Sequence, residues 1–156
     1  MDRDEEDAQV AVRTWGKAEK VELVRQMPLF AACSLRELGQ VATMTVPAHF
    51  PAGSVLTRQG ASGGLAFVIA SGTAEVVRGG RRLARLGKGD VVGELSLIDG
   101  EPRSATVKAI TDLDVLELSA QDLNKLLRKS PSVTRKLLEA LSERLRQADR
   151  LPTSGL

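Results

Sequence analysis

The stretch that decides the fold is Leu65–Leu86, which reads LAFVIASGTAEVVRGGRRLARL. Its opening segment, Leu65–Ala70, is apolar at both alternating sets of positions, which is typical of a strand buried on both faces of a sheet. The pair Gly79-Gly80 lies between two extended segments, a pattern that favours a two-residue β-hairpin. The stretch therefore predicts a central strand followed by a hairpin.

Further short strands are predicted on both sides of this stretch. Turn residues recur roughly every ten positions, which indicates a β-sandwich or barrel instead of alternating strands and helices. Pro47 has no backbone N–H, so its strand is expected at a sheet edge or a bulge. The predicted strands are Met44–Phe50, Val55–Arg58, Leu65–Ala70, Thr73–Val77, Arg82–Leu86, Ala105–Ile110 and Val115–Leu118.

Helical patterns precede the strands. From about Asp4 to Ala42, apolar residues recur at close to helical spacing, and Gly16 can divide the segment into two helices. Ser34 and Glu37 have the spacing of a capping box, which predicts a separate helix over Leu35–Ala42.

Two more helices are predicted after the strands. Ser119 opens a short helix through Leu127, and Pro131 occupies the first position of a helix that runs to Arg150. Residues 152–156 are expected to form a frayed tail. The last helix carries a narrow apolar seam that fits either a contact with the core or a homodimer: Leu138, Leu141, Leu145 and Ala148.

Composition limits the classes of function. The chain has 156 residues, enough for one compact domain, which we assign to residues 1–151. The formal net charge of +2 gives no indication of a nucleic acid or membrane partner. Apolar runs are too short for a membrane span, and the acidic start at Asp2–Asp7 is unlike a signal peptide.

The single cysteine and the single histidine exclude several kinds of site. One cysteine (Cys33) permits no internal disulfide, which fits a reducing, cytoplasmic location. With one histidine (His49) besides, most zinc sites and Cys/His nucleophile pairs lack the necessary residues. We therefore expect neither an enzyme nor a metal-binding protein.

The segment that carries binding chemistry is Val92–Val107, VGELSLIDGEPRSATV. Gly93 permits a tight backbone approach, and the turn from Glu94 to Ile98 presents unpaired N–H groups that suit an anion. By strand alternation, Arg103 points to the inner side, where an arginine is costly unless it meets an anion.

The anion and its neighbours can be inferred from charge. A phosphate suits the two-pronged guanidinium of Arg103. Glu94 would repel a phosphate but can accept a hydrogen bond from a nearby hydroxyl. Together they predict a site for a small phosphate-bearing sugar, with an internal Arg103–Glu94 salt bridge as the alternative.

Val92–Val107 resembles the phosphate-binding cassette of the cyclic nucleotide-binding domain family, F-G-E-L-A-L-x-x-x-x-P-R-A-A-T-V. That family includes the catabolite activator protein and the regulatory subunits of cyclic-AMP-dependent protein kinase, and the resemblance extends over about residues 21–151. It implies a mainly β fold, an eight-stranded β-roll of the jelly-roll type at about residues 44–118. Helices at about 4–42 precede the roll, and helices at about 119–150 follow as a lid or dimer element.

The resemblance also assigns ligand contacts. It implies that Gly93 and Glu94 bind a ribose hydroxyl and that Arg103 pairs with the cyclic phosphate. The Ser104 hydroxyl and the backbone N–H groups of Ser104 and Ala105 would support the phosphate. The remaining implied contacts come from cassette backbone and the pocket wall: Leu95, Ser96, Val92 and Leu86.

The sequence departs from the family pattern at several positions. Val92 replaces a commoner aromatic residue, and Gly64 stands where aspartate is frequent. No aromatic residue follows Phe67, so the base must be capped by Leu145, Arg144, Arg150 or another chain. The helix-turn-helix of the transcription-factor branch is not part of this sequence, so no direct nucleic acid binding is expected.

Other notable residues have structural interpretations. We expect His49 to be structural, Cys33 to be a small buried residue instead of a redox thiol, and Trp15 to pack inside the domain or against a second subunit. A basic run is expected to be a solvated face, with docking to an acidic partner as the alternative: Arg78, Arg81, Arg82, Arg85 and Lys88.

The resulting hypothesis is a regulatory sensor with cyclic AMP as the favoured ligand and cyclic GMP as the second candidate, because Ser104 leaves both open. Ligand would reposition the Pro131–Arg150 helix and alter contact with an unidentified protein effector. One alternative is a ligand-free β-roll scaffold for protein–protein contact. A metal-dependent cupin enzyme is nearly eliminated by the lone His49.

Overall fold

The computed structural model describes residues 15–150, the last by its backbone alone. The predicted helical residues 4–14 and the predicted tail at 152–156 lie outside this range. The helices are α1 (Lys17–Val24), α2 (Leu35–Ala42), α3 (Ser96–Asp99), α4 (Ala120–Lys129) and α5 (Pro131–Arg150), with a 3-10 turn at Pro28–Phe30. The strands are β1 (Val46–Phe50), β2 (Val55–Thr57), β3 (Leu65–Ser71), β4 (Ala74–Arg78), β5 (Arg81–Leu86), β6 (Val91–Val92), β7 (Thr106–Ala109) and β8 (Leu113–Ser119).

The strands form two four-stranded sheets, in the orders β1-β8-β3-β6 and β2-β7-β4-β5. Every pairing between the strands within residues 15–150 is antiparallel. This arrangement confirms the predicted mainly β fold, an eight-stranded β-roll with helices before and after it in the chain.

Strand β3 is buried on both faces, as its sequence predicts. Ala66 and Val68 face a core shared with the helices, whereas Phe67 and Ile69 face a second core between the two sheets. Within the second core, the rings of Phe50 and Phe67 meet edge to face with centroids 5.9 Å apart. One short apolar segment therefore joins both cores.

Several local predictions are confirmed. Gly79 and Gly80, with φ of 57° and 80°, connect β4 to β5 in a left-handed turn that glycine adopts without steric cost. Pro47 lies on β1, an edge strand. Ser34 caps α2 together with Glu37, and Ser119 caps α4.

Strand β6 is the element that the strand pattern did not predict. It has only the residues Val91 and Val92, which pair with Val68 and Phe67 of β3. Two residues are too few to show an alternating pattern, so only their partner strand identifies them as a strand.

The apolar seam predicted on α5 is not the face that enters the core. The helix buries Val133, Leu137 and Ala140, whereas Leu138 and Leu145 are 60% and 69% exposed. Of the seam, Leu141 alone packs against the core. Among residues 15–150, none of the helices has both the length and the apolar character needed to cross a membrane.

Candidate functional site

A cavity of about 720 Å³ lies between the β-roll, α3 and the second half of α5. This volume is in the range of small-molecule sites. Its wall includes every ligand-contact residue that the sequence predicted: Leu86, Val92, Gly93, Glu94, Leu95, Ser96, Arg103, Ser104 and Ala105.

Gly93 allows the cassette to close on itself. Its φ is +78°, a conformation that residues with a side chain rarely adopt. A Cβ atom at this position would lie 2.2 Å from Nη1 of Arg103 and 2.9 Å from the carbonyl oxygen of Leu65. The arginine can therefore lie against the backbone only because residue 93 is glycine.

Arg103 lies in the pocket wall, but for a different reason from the one predicted. Strand β7 begins at Thr106, so Arg103 is in the preceding loop and strand alternation does not set its direction. Its backbone N–H donates to the carbonyl of Ala61 over 2.8 Å, and its own carbonyl accepts from Gly60 over 2.8 Å. These bonds between two loops fix the position of the arginine.

The guanidinium of Arg103 is half-buried and donates to neutral oxygens. Nη2 donates to the Leu65 carbonyl over 2.6 Å, and Nη1 donates to the Ser96 hydroxyl over 3.1 Å. A guanidinium in the cavity wall attracts an anion, because it carries a permanent positive charge and its planar N–H groups suit a phosphate.

Glu94 is only 7% exposed, and both of its carboxylate oxygens accept hydrogen bonds from the protein. Oε2 accepts from the backbone N–H of Leu29 in the 3-10 turn. Oε1 accepts from Nη1 of Arg144 on α5 over 3.0 Å. The expected acceptor for a ligand hydroxyl is thus engaged by two other segments, because the 3-10 turn and α5 close over the cassette.

The other predicted residues contribute in different ways. Ser96 donates its hydroxyl proton to the carbonyl of Gly93 over 2.8 Å and begins α3, which is shorter than the predicted turn. Ser104 is exposed, and its carbonyl accepts from Nε of Arg78 over 3.0 Å. The Leu95 side chain is 49% exposed.

Some residues of the pocket wall were not predicted. Gln26 and Pro28 reach the cavity from the segment that precedes the β-roll, and Thr57 and Val76 line its inner wall. No local pattern marks Gln26 or Pro28, because only the packing of α1 and the 3-10 turn on the roll brings them there. Thr57 and Val76 could have been selected from strand alternation.

The residues predicted to cap the base differ in whether they line the cavity. Arg144 is part of the pocket wall, whereas Leu145 is 69% exposed and does not line it. The side chain of Arg150 lies outside the described residues.

The residues expected to be structural are engaged away from the cavity. Nδ1 of His49 lies 2.9 Å from Oδ1 of Asp114, and Trp15 packs in the core that the helices share. Burial, together with the nearby Glu37 carboxylate, raises the pKa of the Cys33 thiol to about 11, so it remains protonated and unreactive at neutral pH. Within residues 15–150, no three histidine, cysteine or acidic side chains cluster as metal ligands would.

The basic run lies on an exposed surface. Strand β5 is solvent-exposed along nearly its whole length and forms the edge of its sheet. This placement agrees with the expected solvated face.

Comparison with known proteins gives consistent results. The family model for the cyclic nucleotide-binding domain matches residues 47–130, more than half of the chain. A cyclic nucleotide-gated potassium channel of Rhizobium etli is 35% identical over 133 residues, which cover 85% of this chain and 36% of the channel. The cyclic AMP receptor protein of Thermus thermophilus is 35% identical over 127 residues, which cover 78% of this chain and 59% of the receptor.

A solved structure matches at similar identity. The N-terminal domain of a transcriptional regulator from Streptomyces coelicolor A3(2) superposes with a TM-score of 0.77 at 32% identity, over 85% of this chain and 99% of that one. By contrast, the chain spans only about a third to three fifths of the two sequence relatives above. The family match, the shared fold and the cassette at the cavity lead to one conclusion: the chain belongs to the cyclic nucleotide-binding domain family.

Proposed function

We propose that this chain is a regulatory sensor that binds a cyclic nucleotide, cyclic AMP in preference to cyclic GMP, in the cavity beside α3. The observation that carries the proposal is the convergence of Arg103, Glu94 and Gly93 on one nucleotide-sized cavity. A guanidinium, a carboxylate and a closely approaching backbone match the phosphate and the hydroxyl of such a ligand.

Arg103 binds the cyclic phosphate in this proposal, supported by the Ser104 hydroxyl and by the backbone N–H groups of Ser104 and Ala105. Each hydrogen bond between charged groups contributes roughly 1.5–3 kcal/mol. The remaining cassette residues, Leu95 and Ser96, supply backbone, and Val92 and Leu86 pack against ribose and base.

Ligand binding competes with the Glu94–Arg144 ion pair. A ribose hydroxyl that donates to Glu94 takes the place of Arg144, because the buried carboxylate has little room for another donor. Release of Arg144 frees the second half of α5, so ligand and helix position are thermodynamically linked.

The first turns of α5 stay in place during this change. Glu37 of α2 accepts a hydrogen bond from the Ser132 hydroxyl over 2.6 Å and lies 3.5 Å from Nζ of Lys136. Lys136 also donates to the Ala32 carbonyl over 3.2 Å. The movement is therefore confined to the part of the helix beyond these contacts.

Two features favour cyclic AMP. Serine follows the cassette arginine, as is common in cyclic AMP sites of the family, whereas threonine there often accompanies cyclic GMP. One relative with 35% identity is a cyclic AMP receptor protein.

The proposed protein partners of the chain are inferred from the exposed surface of α5. Exposed Leu138 and Leu145 suit a homodimer through α5, and the moving end of that helix suits contact with a protein effector. We assign residues 1–151 to one such binding module, located in the cytoplasm, with a role in binding and not in catalysis.

A second candidate is the ligand-free scaffold. The observation in its favour is that both oxygens of Glu94 already accept hydrogen bonds from the protein. The two candidates differ in whether any cyclic nucleotide binds.

The test is a calorimetric titration and thermal melt of the chain with cyclic AMP and with cyclic GMP. A ligand at a hundredfold excess over Kd adds about 2.7 kcal/mol, which raises Tm by about 5–10 °C. Arg103→Leu should abolish this shift and leave the unliganded fold intact. The matched control is Arg85→Leu, which removes an exposed arginine of β5. The absence of a shift with either nucleotide at millimolar concentration would favour the scaffold.

A further inference from the structure

We propose that the Ser96 side chain is a positioning residue that fixes the guanidinium of Arg103 in the orientation required for a phosphate. This inference rests on the proposed function, which assigns Ser96 only a backbone role. The inference is drawn from the position of the Ser96 hydroxyl, which lies between the cassette backbone and the guanidinium of Arg103.

The hydrogen bonds of that hydroxyl have a definite direction. A serine hydroxyl has one proton and two acceptor sites. Its proton goes to the carbonyl of Gly93 over 2.8 Å, so its lone pairs point away from that carbonyl. One of them accepts from Nη1 of Arg103 over 3.1 Å. The hydroxyl thereby connects the arginine to the backbone that it packs against.

Packing holds the hydroxyl in this place. The backbone N–H of Ser96 donates to the same Gly93 carbonyl over 3.2 Å, and the Ser96 carbonyl accepts from Gly100 over 3.1 Å. On the opposite side, a Cβ atom on Gly63 would lie 2.7 Å from Cβ and 2.9 Å from Oγ of Ser96. Ser96 thus packs directly against Gly63, and its hydroxyl is bonded to Gly93, so both contacts restrict its rotamer.

Acceptors on both terminal nitrogens hold the plane of the guanidinium. Leu65 accepts from Nη2 and Ser96 accepts from Nη1, so each terminal nitrogen of Arg103 is bound. Loss of the Ser96 acceptor would release Nη1 from this contact and let the group turn more readily about its bond to the side chain. Recognition of a phosphate by two parallel hydrogen bonds requires a fixed plane, and an ordered group loses less entropy on binding.

The test is a thermodynamic cycle on cyclic AMP affinity. Ser96→Ala removes the acceptor and should weaken binding about tenfold, the effect of one hydrogen bond to a charged group. In an Arg103→Lys background, where no guanidinium plane remains, the same change should cost less than about twofold. Ser62→Ala, an exposed serine of the neighbouring loop, is the matched control and should leave affinity unchanged. An unaltered affinity in Ser96→Ala, or an equal loss in both backgrounds, would overturn the inference.

A measurement on the unliganded protein separates this inference from the proposed function. Arginine side-chain NMR should show slow rotation of the Arg103 guanidinium in the parent and faster rotation in Ser96→Ala. If the parent binds neither cyclic AMP nor cyclic GMP, the proposed function fails, while the rotation rate still decides the role of Ser96. An equal rate in the two proteins contradicts that role.

Discussion

Replacing Arg144 with methionine tests whether α5 and the ligand compete for the same carboxylate. The substitution keeps the apolar part of the side chain and removes the partner of Oε1 of Glu94, 3.0 Å away. We expect two opposite effects: the unliganded protein loses stability, and its affinity for cyclic nucleotide rises, because the ligand no longer has to displace an arginine.

The magnitude follows from the burial of the two groups. Glu94 is nearly inaccessible, with 7% of its side chain exposed, whereas 40% of the Arg144 side chain is exposed. Breaking a fully buried pair costs about 3–5 kcal/mol, but solvent screening of the arginine reduces the expected loss to about 1–2 kcal/mol. For a chain of this size that lowers Tm by about 3–6 °C. The same free energy corresponds to about a 5- to 30-fold gain in cyclic nucleotide affinity.

The assay compares thermal melts without ligand and calorimetric titrations with cyclic AMP. Arg135→Met is the matched control, since Arg135 lies on the same helix and pairs with Glu139 at 3.6 Å with both side chains largely exposed. The control should change stability by less than about 0.5 kcal/mol. A melting temperature of Arg144→Met equal to that of the control, or a fall in its affinity for cyclic AMP, would refute competition between α5 and the ligand.

Two further predictions concern Glu37, which holds the first turns of α5, and the exposed leucines of that helix. Hydrogen bonds from Ser132 and from the backbone of Ser34 lower the pKa of Glu37 from 4.5 to about 2, so its stabilising effect is complete above pH 4.5 and disappears as the pH falls towards 2. The difference in the free energy of unfolding between the parent and Glu37→Gln, measured by urea denaturation, should therefore narrow as the pH falls from 4.5 towards 2. A difference that stays constant over this pH range would contradict the prediction. Leu138→Glu combined with Leu145→Glu should convert a dimeric parent into a monomer in sedimentation experiments, because both leucines are exposed in the single chain. A monomeric parent would instead rule out the dimer.

Local patterns in the sequence were sufficient for much of the fold. Leu65–Ala70 indicated a strand buried on both faces, because its side chains are apolar at odd and at even positions and both sets avoid water. Gly79-Gly80 and the two serine caps depend on neighbouring residues alone, so they were predicted correctly.

The remaining features depend on how separate segments pack. Leu137 and Leu138 are adjacent on one helix and point to different sides of it, so only the packing of α5 against the rest of the chain decides that Leu137 is buried and Leu138 exposed. The position of Arg103 is set by pairing with the Gly60-Ala61 loop and not by the alternation of a strand.

In the candidate site too, local patterns predicted some features, whereas others depend on the packing of distant segments. The cassette pattern was sufficient to bring its residues to one cavity wall. The engagement of Glu94 by Leu29 and Arg144 was not predicted, because these partners come from segments far away in the chain. Composition and spacing contain no information on such a long-range contact.

The contacts of Glu37 lie at one end of α5 and the contact of Glu94 lies farther along it, which gives the helix the geometry of a lever. From Lys136, the last of the fixed contacts, to Arg150 the helical rise amounts to about 21 Å. A tilt of about 10° beyond Lys136 would carry the far end by about 4 Å. A displacement of atomic size at one carboxylate is thereby amplified into a shift of several ångströms, which a neighbouring surface can detect.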